Sequence, residues 1–348
     1  MIETFILYNA ILLLSVLFAY YAEHSKTRRS RILARYSLFM VLFVPSVLRY
    51  DIGTDYASYV DSFNFSSEYK QTEIVFYALI LFLRNLQLPA HSLFVCSAFI
   101  TYFPLLFLQR KNYTWKILMY VLLCYLLSYS AIRNMISLSL VILAFDLFFR
   151  GKRWGAFIIY PLSVLFHASS FVFLPFFFVN RMHCNRIILL LISSFLLCIC
   201  YTDMFFVLLN NDLFLNSYYG GYMFSVYGVE PSYNTGYGAF SKILFAAIVF
   251  FSKTKDNAVI YFSLFYFISL VLMTKVSIFL RLADAAAITL VFALPLCLSV
   301  WREKKIIALK YLMVLFYVVL FEMFIYANNR GLKEGNVGVS PYQTIFCE

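Results

Sequence analysis

Apolar residues run through this chain in long blocks, and short polar packets cut between them. The blocks cover 2–22, 32–48, 74–88, 91–108, 154–180, 187–202, 240–252, 258–274, 282–300 and 306–326. Most hold about 17–25 residues, enough for a helix to cross a hydrocarbon core about 30 Å thick. Backbone at that depth must satisfy its own hydrogen bonds, so the spanning segments are predicted to be helices. The pattern predicts an all-α polytopic membrane protein of roughly 10–12 membrane helices, with re-entrant or interfacial segments besides. One transmembrane domain fills 1–348, with outer loops 49–73 and 203–240 and a polar tail 327–348. No internal repeat is evident.

Basic residues orient the helices. Eighteen of the 28 lysines and arginines fall in six short clusters within 26–35, 110–116, 150–153, 181–186, 253–255 and 302–305. Short loops rich in Lys and Arg stay on the cytoplasmic side. Residues 187–241 hold no Lys or Arg but do hold Asp203, Asp212 and Glu230, so that loop faces outward. The first cluster follows the first apolar block, which predicts an uncleaved anchor with its N-terminus outside.

Parity then constrains two segments. Both 74–88 and 91–108 lie between the outer loop at Arg49 and the inner cluster at Arg110, and two full crossings would put Arg110 outside. The block 74–88, interrupted by Arg84 and closed by Pro89, therefore reads as interfacial or re-entrant. The block 154–180 joins two inner clusters, so it must rise and return, with its apex at Phe166-His167-Ala168-Ser169-Ser170.

Composition agrees: 63% of residues are hydrophobic and 13% charged, far from a soluble domain. The formal charge of +11 does not point to nucleic acid, because the basic residues share no soluble face. Seven cysteines are scattered, among them Cys96, Cys124, Cys198, Cys200 and Cys297 inside apolar blocks. No zinc spacing or disulfide framework is evident, and small core or lipid-facing residues are the expectation.

Candidate chemistry enters at Arg49-Tyr50-Asp51-Ile52-Gly53-Thr54-Asp55-Tyr56, with Tyr59 beyond it. This packet of charge, glycine and tyrosine closes an apolar block, and Arg133, His167 and Arg281 stand isolated further on. Counting rise from the inner clusters puts Arg49 and Arg133 about 25 Å up and His167 about 20 Å up. Arg281 follows a complete crossing. All four are predicted to converge in the outer third of the bilayer. Each also has an ordinary reading. A lone arginine can snorkel to headgroups, as Arg84 and Lys275 also can; a lone histidine can bond a backbone carbonyl; Asp55 can cap its turn. Ionisable groups in hydrocarbon cost at least about 2.5–3.5 kcal/mol each and so tend to mark substrate paths. Guanidinium forks suit a phosphate-bearing head, and tyrosines 218, 219, 222, 227, 233 and 237 in the outer loop suit a sugar or an interfacial aromatic belt.

These stretches, with Ala131-Ile132-Arg133-Asn134, Phe166-His167-Ala168-Ser169, Arg281 and the ending Pro341-Tyr342 with Phe346, resemble the EpsG-like branch of the Wzy-type polysaccharide polymerases. The family commonly has Gln where this chain has Asn134. The resemblance implies an integral-membrane glycosyltransferase architecture (GT-C-like) in the bacterial cytoplasmic membrane, serving O-antigen or exopolysaccharide synthesis. It implies a metal-independent enzyme without cofactor. That enzyme transfers a glycan from undecaprenyl pyrophosphate to the terminal hydroxyl of another lipid-linked repeat unit at the periplasmic face. Expected partners are that lipid-linked oligosaccharide, the bilayer, a chain-length regulator and a flippase, with no nucleic acid.

Charge suggests the roles. Arg133 and Arg281, with Arg49, would hold the pyrophosphate as it leaves. His167 would take the proton of the acceptor hydroxyl, with Asp55 the second choice of base. Gly53, Tyr56, Tyr59, Asn134, Lys275 and Tyr342 would contact substrate. The alternatives are a flippase for the same lipid-linked oligosaccharide and an O-antigen ligase using the same donor; a membrane acyltransferase is weaker. A flippase would more naturally show repeated halves and charges spread through the bilayer.

Overall fold

The computed structural model describes residues 2–65, 73–178, 185–202, 207, 211–212, 236–251, 257–276, 279–300, 304–329 and 338–346. Regular structure among them is helical; the β pairing consists of two isolated bridges, Arg49 with Thr344 and Asn329 with Ser340. Five helices are long and apolar enough to cross a membrane, and seven shorter apolar ones accompany them. The all-α polytopic expectation is met. Two compact units are formed, one from Met1–Leu174 with Val314–Glu348, the other from Pro175–Met313.

In the first unit, α1 (Ile2–His24) packs against α2 (Arg28–Leu48). Thr27 starts α2, its side chain accepting from the Ser30 amide at 3.1 Å and so satisfying one of the orphan N–H groups of a helix start. Next come α3 (Tyr56–Asn64), α4 (Ile74–Asn85) and α5 (His91–Tyr102). Helix α4 has 12 residues, about 18 Å of rise, too little for a crossing. Phe76 at its start meets Tyr59, and Phe94 on α5 stacks on Tyr56, so the starts of α4 and α5 both pack on α3.

The chain descends through α5 and a 3₁₀ turn at Phe103–Phe107, then rises through α6 (Tyr113–Tyr120), a π turn at Val121–Tyr125 and a 3₁₀ turn at Leu127–Tyr129. It descends again in α7 (Ile132–Phe149). Helix α8 (Arg153–Phe166) packs extensively on α7 and stops at His167. A 3₁₀ stretch, Ala168–Phe177, follows. The Tyr160 hydroxyl donates to the carbonyls of Ser170 at 3.0 Å and Phe171 at 3.2 Å, so the chain reverses at His167. On α7, Ser137 meets Ser170 while Phe145, two turns on, meets Phe173. The reversal expected at 166–170 is present.

The basic clusters at the inner end are more than orientation signals. Asp146, 1% exposed, accepts from Lys116 Nζ at 2.6 Å, Arg150 Nη2 at 2.9 Å and the Gln109 amide at 2.8 Å. Arg35 donates to the carbonyls of Leu106 and Leu108, and Arg110 to those of Glu23 and Ser25. The Glu23 carboxylate caps the start of α6 through the amides of Asn112 and Thr114. Arginine forks here satisfy carbonyls where the 3₁₀ turn ends.

At the opposite end, the tail 338–346 docks on the start of α1 and the end of α2. Tyr8 donates to the Val339 carbonyl at 2.8 Å, the Tyr342 amide to Thr4 Oγ1 at 2.9 Å, and the Tyr342 hydroxyl to the Pro45 carbonyl at 2.6 Å. The amides of Tyr50 and Ile345 bond the carbonyls of Gln343 and Leu48, each at 3.0 Å.

The second unit contains α9 (Arg186–Tyr201), α10 (Gly236–Phe250), α11 (Asn257–Met273), α12 (Phe279–Ala286) and α13 (Leu290–Val300). Helix α11 is its hub, packing on the other four. The last helix, α14 (Lys304–Ala327), reaches the first unit from Val314 onward. Tyrosines 218, 219, 222, 227 and 233 of the expected sugar-facing loop lie outside the described residues, as do Asp203 and Glu230.

Candidate functional site

Glu73 organises the polar end of the first unit. It is the residue before α4, yet its side chain does not cap that helix. Its carboxylate, 4% exposed, spans two basic side chains instead: Oε2 accepts from Arg133 Nη1 at 2.6 Å, and Oε1 pairs with His167 Nδ1 at 2.9 Å. Three distant stretches meet there because α4, α7 and α8 share one apolar cluster, in which Phe76, Ile80, Ile132, Ile136 and Phe166 are buried.

Arg133 is the second residue of α7, so its guanidinium joins the positive end of that helix's dipole, a setting that attracts anions. It lies over the rings of Tyr59 at 5.8 Å and Phe76 at 5.9 Å and remains 32% exposed. His167 owes its position to the end of α8. Its amide bonds the Ser163 carbonyl at 3.1 Å while its own backbone turns extended. With Glu73 on Nδ1, the imidazole keeps Nε2 for other work; the ring is 23% exposed. Asn134 Oδ1 accepts from Ser169 Oγ at 3.5 Å, tying the start of α7 to the stretch after His167.

The packet at 49–56 folds as a tight loop over this site. Gly53 has φ +108°, and a Cβ there would lie 2.0 Å from the Tyr129 carbonyl oxygen. Only glycine suits such a position. Thr54 is held by Ser130 Oγ at 3.1 Å. Asp55 precedes α3 without capping it and accepts from Thr54 Oγ1 at 3.2 Å. Tyr56 stacks on Phe94, centroids 4.4 Å apart, and Tyr59 borders Arg133.

Arg49 differs from the expectation that it would reach a pyrophosphate. It is 3% exposed, with its guanidinium over the rings of Tyr129 at 4.5 Å and Phe94 at 5.4 Å. The tail pairs with its backbone through Thr344, and Tyr342 is engaged in fastening that tail. Arg49, Arg133 and His167 thus share one end of the first unit, but only Arg133 and His167 share a counter-ion. Arg281, exposed on α12, and Lys275, just after α11, belong to the second unit. There Arg281 and Lys242 of α10 act electrostatically on Asp284.

A sequence model described as the EpsG family matches residues 32–344. The chain belongs to the EpsG family. No curated protein and no solved structure gives a match. The EpsG match covers nearly the whole chain and takes in every candidate site residue from Arg49 to Tyr342; it bears out the resemblance drawn from the motifs. Membership makes this a multi-pass membrane protein of a family of glycosyltransferase-type polysaccharide polymerases.

Glu73 was not legible as a site residue. An acid at the edge of an apolar block reads as a solvent boundary, and Asp55 stood inside the motif as the more obvious acid. The available signal was charge balance: cations predicted to meet within a bilayer require a buried anion. Asp146, hidden within an apolar helix opposite Lys116, went unnoticed for the same lack of local pattern.

Proposed function

We propose that this chain polymerises lipid-linked oligosaccharide repeat units, moving the growing glycan from undecaprenyl pyrophosphate to the terminal hydroxyl of a new unit at the periplasmic face. The observation that carries the reading is the Glu73 carboxylate held between Arg133 and His167 at the end of the first unit remote from that unit's own basic clusters. A hydroxyl acceptor needs a base, and a pyrophosphate leaving group needs fixed positive charge. That arrangement supplies both from one carboxylate-anchored pair.

In this reading the acceptor hydroxyl approaches His167 Nε2 and gives up its proton there as its oxygen bonds the anomeric carbon. The bond from that carbon to the pyrophosphate oxygen breaks, and its electron pair leaves on the pyrophosphate. Sugar character in the transition state is oxocarbenium-like. Glu73 fixes the His167 tautomer through Nδ1 and stabilises the imidazolium that forms, the role a carboxylate plays behind a histidine base. Arg133, aided by the α7 dipole, takes the growing charge of the pyrophosphate. Asp55 and Asn134 orient sugar hydroxyls, and Tyr59 borders the pocket at Arg133. Because guanidinium groups carry the charge, the reaction needs no metal. Arg49 and Tyr342 stand outside the reacting pocket and hold the loop and tail.

The test is incubation of the purified protein with a defined undecaprenyl-pyrophosphoryl repeat unit. A ladder of products of increasing length is expected, with undecaprenyl pyrophosphate released in step and single units only from Arg133→Ala. Movement of the substrate across a vesicle bilayer with no ladder would make the protein a flippase. Transfer to lipid A core alone would make it a ligase.

A further inference from the structure

Beside Arg49 lies a small, partly open cavity lined by the hydroxyl-bearing Ser46, Ser97, Thr101, Tyr102, Ser128 and Tyr129, with Ala98 and Ile132 completing the wall. Its free interior takes about one water-sized sphere. Two of the groups facing it lack hydrogen-bond partners although buried. Arg49 has its Nε and Nη1 unmatched, and Ser97, 2% exposed, has its hydroxyl unmatched. Arg49 makes no ion pair with any described carboxylate. The rings of Tyr129 and Phe94 stabilise the cation from its faces but leave its in-plane N–H groups without acceptors.

A neutral water could satisfy those N–H groups but not the charge. Buried charges in proteins are paired, and an unpaired one is strongly disfavoured. The remaining lining is hydroxyl-rich and carries no acid, which repels cations less than it welcomes an anion. The cavity's small volume favours a spherical anion over a tetrahedral oxyanion. We infer that this cavity is a binding site for a monovalent anion of chloride size, held by Arg49 Nε and Nη1 and by the Ser97 hydroxyl. The ion neutralises a guanidinium that the motif at 49–56 places under the docked tail. It is a site distinct from the Glu73 pocket, and no step of the proposed transfer uses it.

The test uses the full-length protein in detergent, exchanged into gluconate and dialysed to equilibrium against radiolabelled chloride. Wild type should take up chloride saturably, approaching one ion per chain, with bromide competing and gluconate not. Ser97→Ala, which keeps the cation and the packing, should bind about tenfold more weakly, as expected for losing one hydrogen bond to a charged ligand. Arg49→Gln should show no saturable uptake. If that variant fails to accumulate, Ser97→Ala alone decides. Absence of saturable uptake by wild type, or uptake unchanged by Ser97→Ala, would overturn the site and leave water in the cavity. A protein that polymerises normally yet binds no chloride would sink this inference without touching the polymerase reading.

Discussion

Glu73 joins two side chains whose work depends on it in different ways. For His167 it fixes which ring nitrogen carries the proton; for Arg133 it holds the fork but occupies part of it. Glu73→Gln preserves shape while removing charge, so His167 loses its tautomer control and its imidazolium its counter-ion. Polymer formation by the purified protein should fall by roughly 10²–10⁴-fold, the range of a positioned base, at unchanged membrane abundance. His167→Gln should fall as far. A near-normal ladder with either variant would reduce the pair to packing. Arg133→Lys should not rescue Arg133→Ala, because a lysine cannot both hold the carboxylate and present a planar fork to phosphate; restored chain length in the lysine variant would contradict that. Sequence made Arg133 and His167 visible because isolated ionisable residues in apolar blocks stand out. It hid their acid, since Glu73 sits where a solvated residue is unremarkable. It also could not show that Arg49, in the same motif, turns inward, as burial of one guanidinium and exposure of another depend on the loop's path.

Helices and turns place those residues, and here the hydrophobic pattern was a sound guide to extent and a weak one to continuity. The boundaries of α1, α2, α11 and α14 follow the apolar blocks closely because nothing inside them competes with the helix. The rise between Lys116 and Arg133 reads as one crossing but is built as α6, a π turn and a 3₁₀ turn. The breaks let Tyr125 bond Tyr129, and Tyr102 bond Ser46 and Ser128. Gly53 depends on the same region, its backbone lying against Tyr129. Gly53→Ala combines a disfavoured φ with a direct clash and should lower thermal stability in detergent by about 1–3 kcal/mol; an unchanged unfolding midpoint would show that the loop can move off Tyr129. At the inner end, Asp146→Ala strands Lys116 as a buried charge and should cost about 3–5 kcal/mol. Replacing both partners, Lys116→Met with Asp146→Leu, should recover most of that, because Arg150 keeps its carbonyl contacts to Asp146 and Phe107. If the double variant is as unstable as the single one, the buried pair is doing more than balancing charge.

Across the whole molecule, one observation ties fold to orientation. Arg35, Arg110, Lys116, Asp146 and Arg150 gather at one end of the first unit, while Arg49, Glu73, Arg133, His167 and the docked tail gather at the other. Three of the six basic clusters, those at 26–35, 110–116 and 150–153, are thus brought together in space, which an accidental scatter of lysines and arginines would not produce. On the proposed reading the positive-inside rule puts that basic end in the cytoplasm, with the Glu73 site on the other side. Thr54 and Lys111 are exposed at the two ends and can report this directly. In a variant whose native cysteines are replaced, Thr54→Cys should react in intact cells with a membrane-impermeant maleimide, and Lys111→Cys only after the membrane is opened. Neither position touches the Glu73 carboxylate, so retained polymerisation shows that the labelled protein is folded. Labelling of Lys111→Cys from outside would invert the molecule and put the histidine–arginine pair in the cytoplasm. A lipid-linked unit already flipped outward could not reach it there, and the polymerase reading would fail together with the topology.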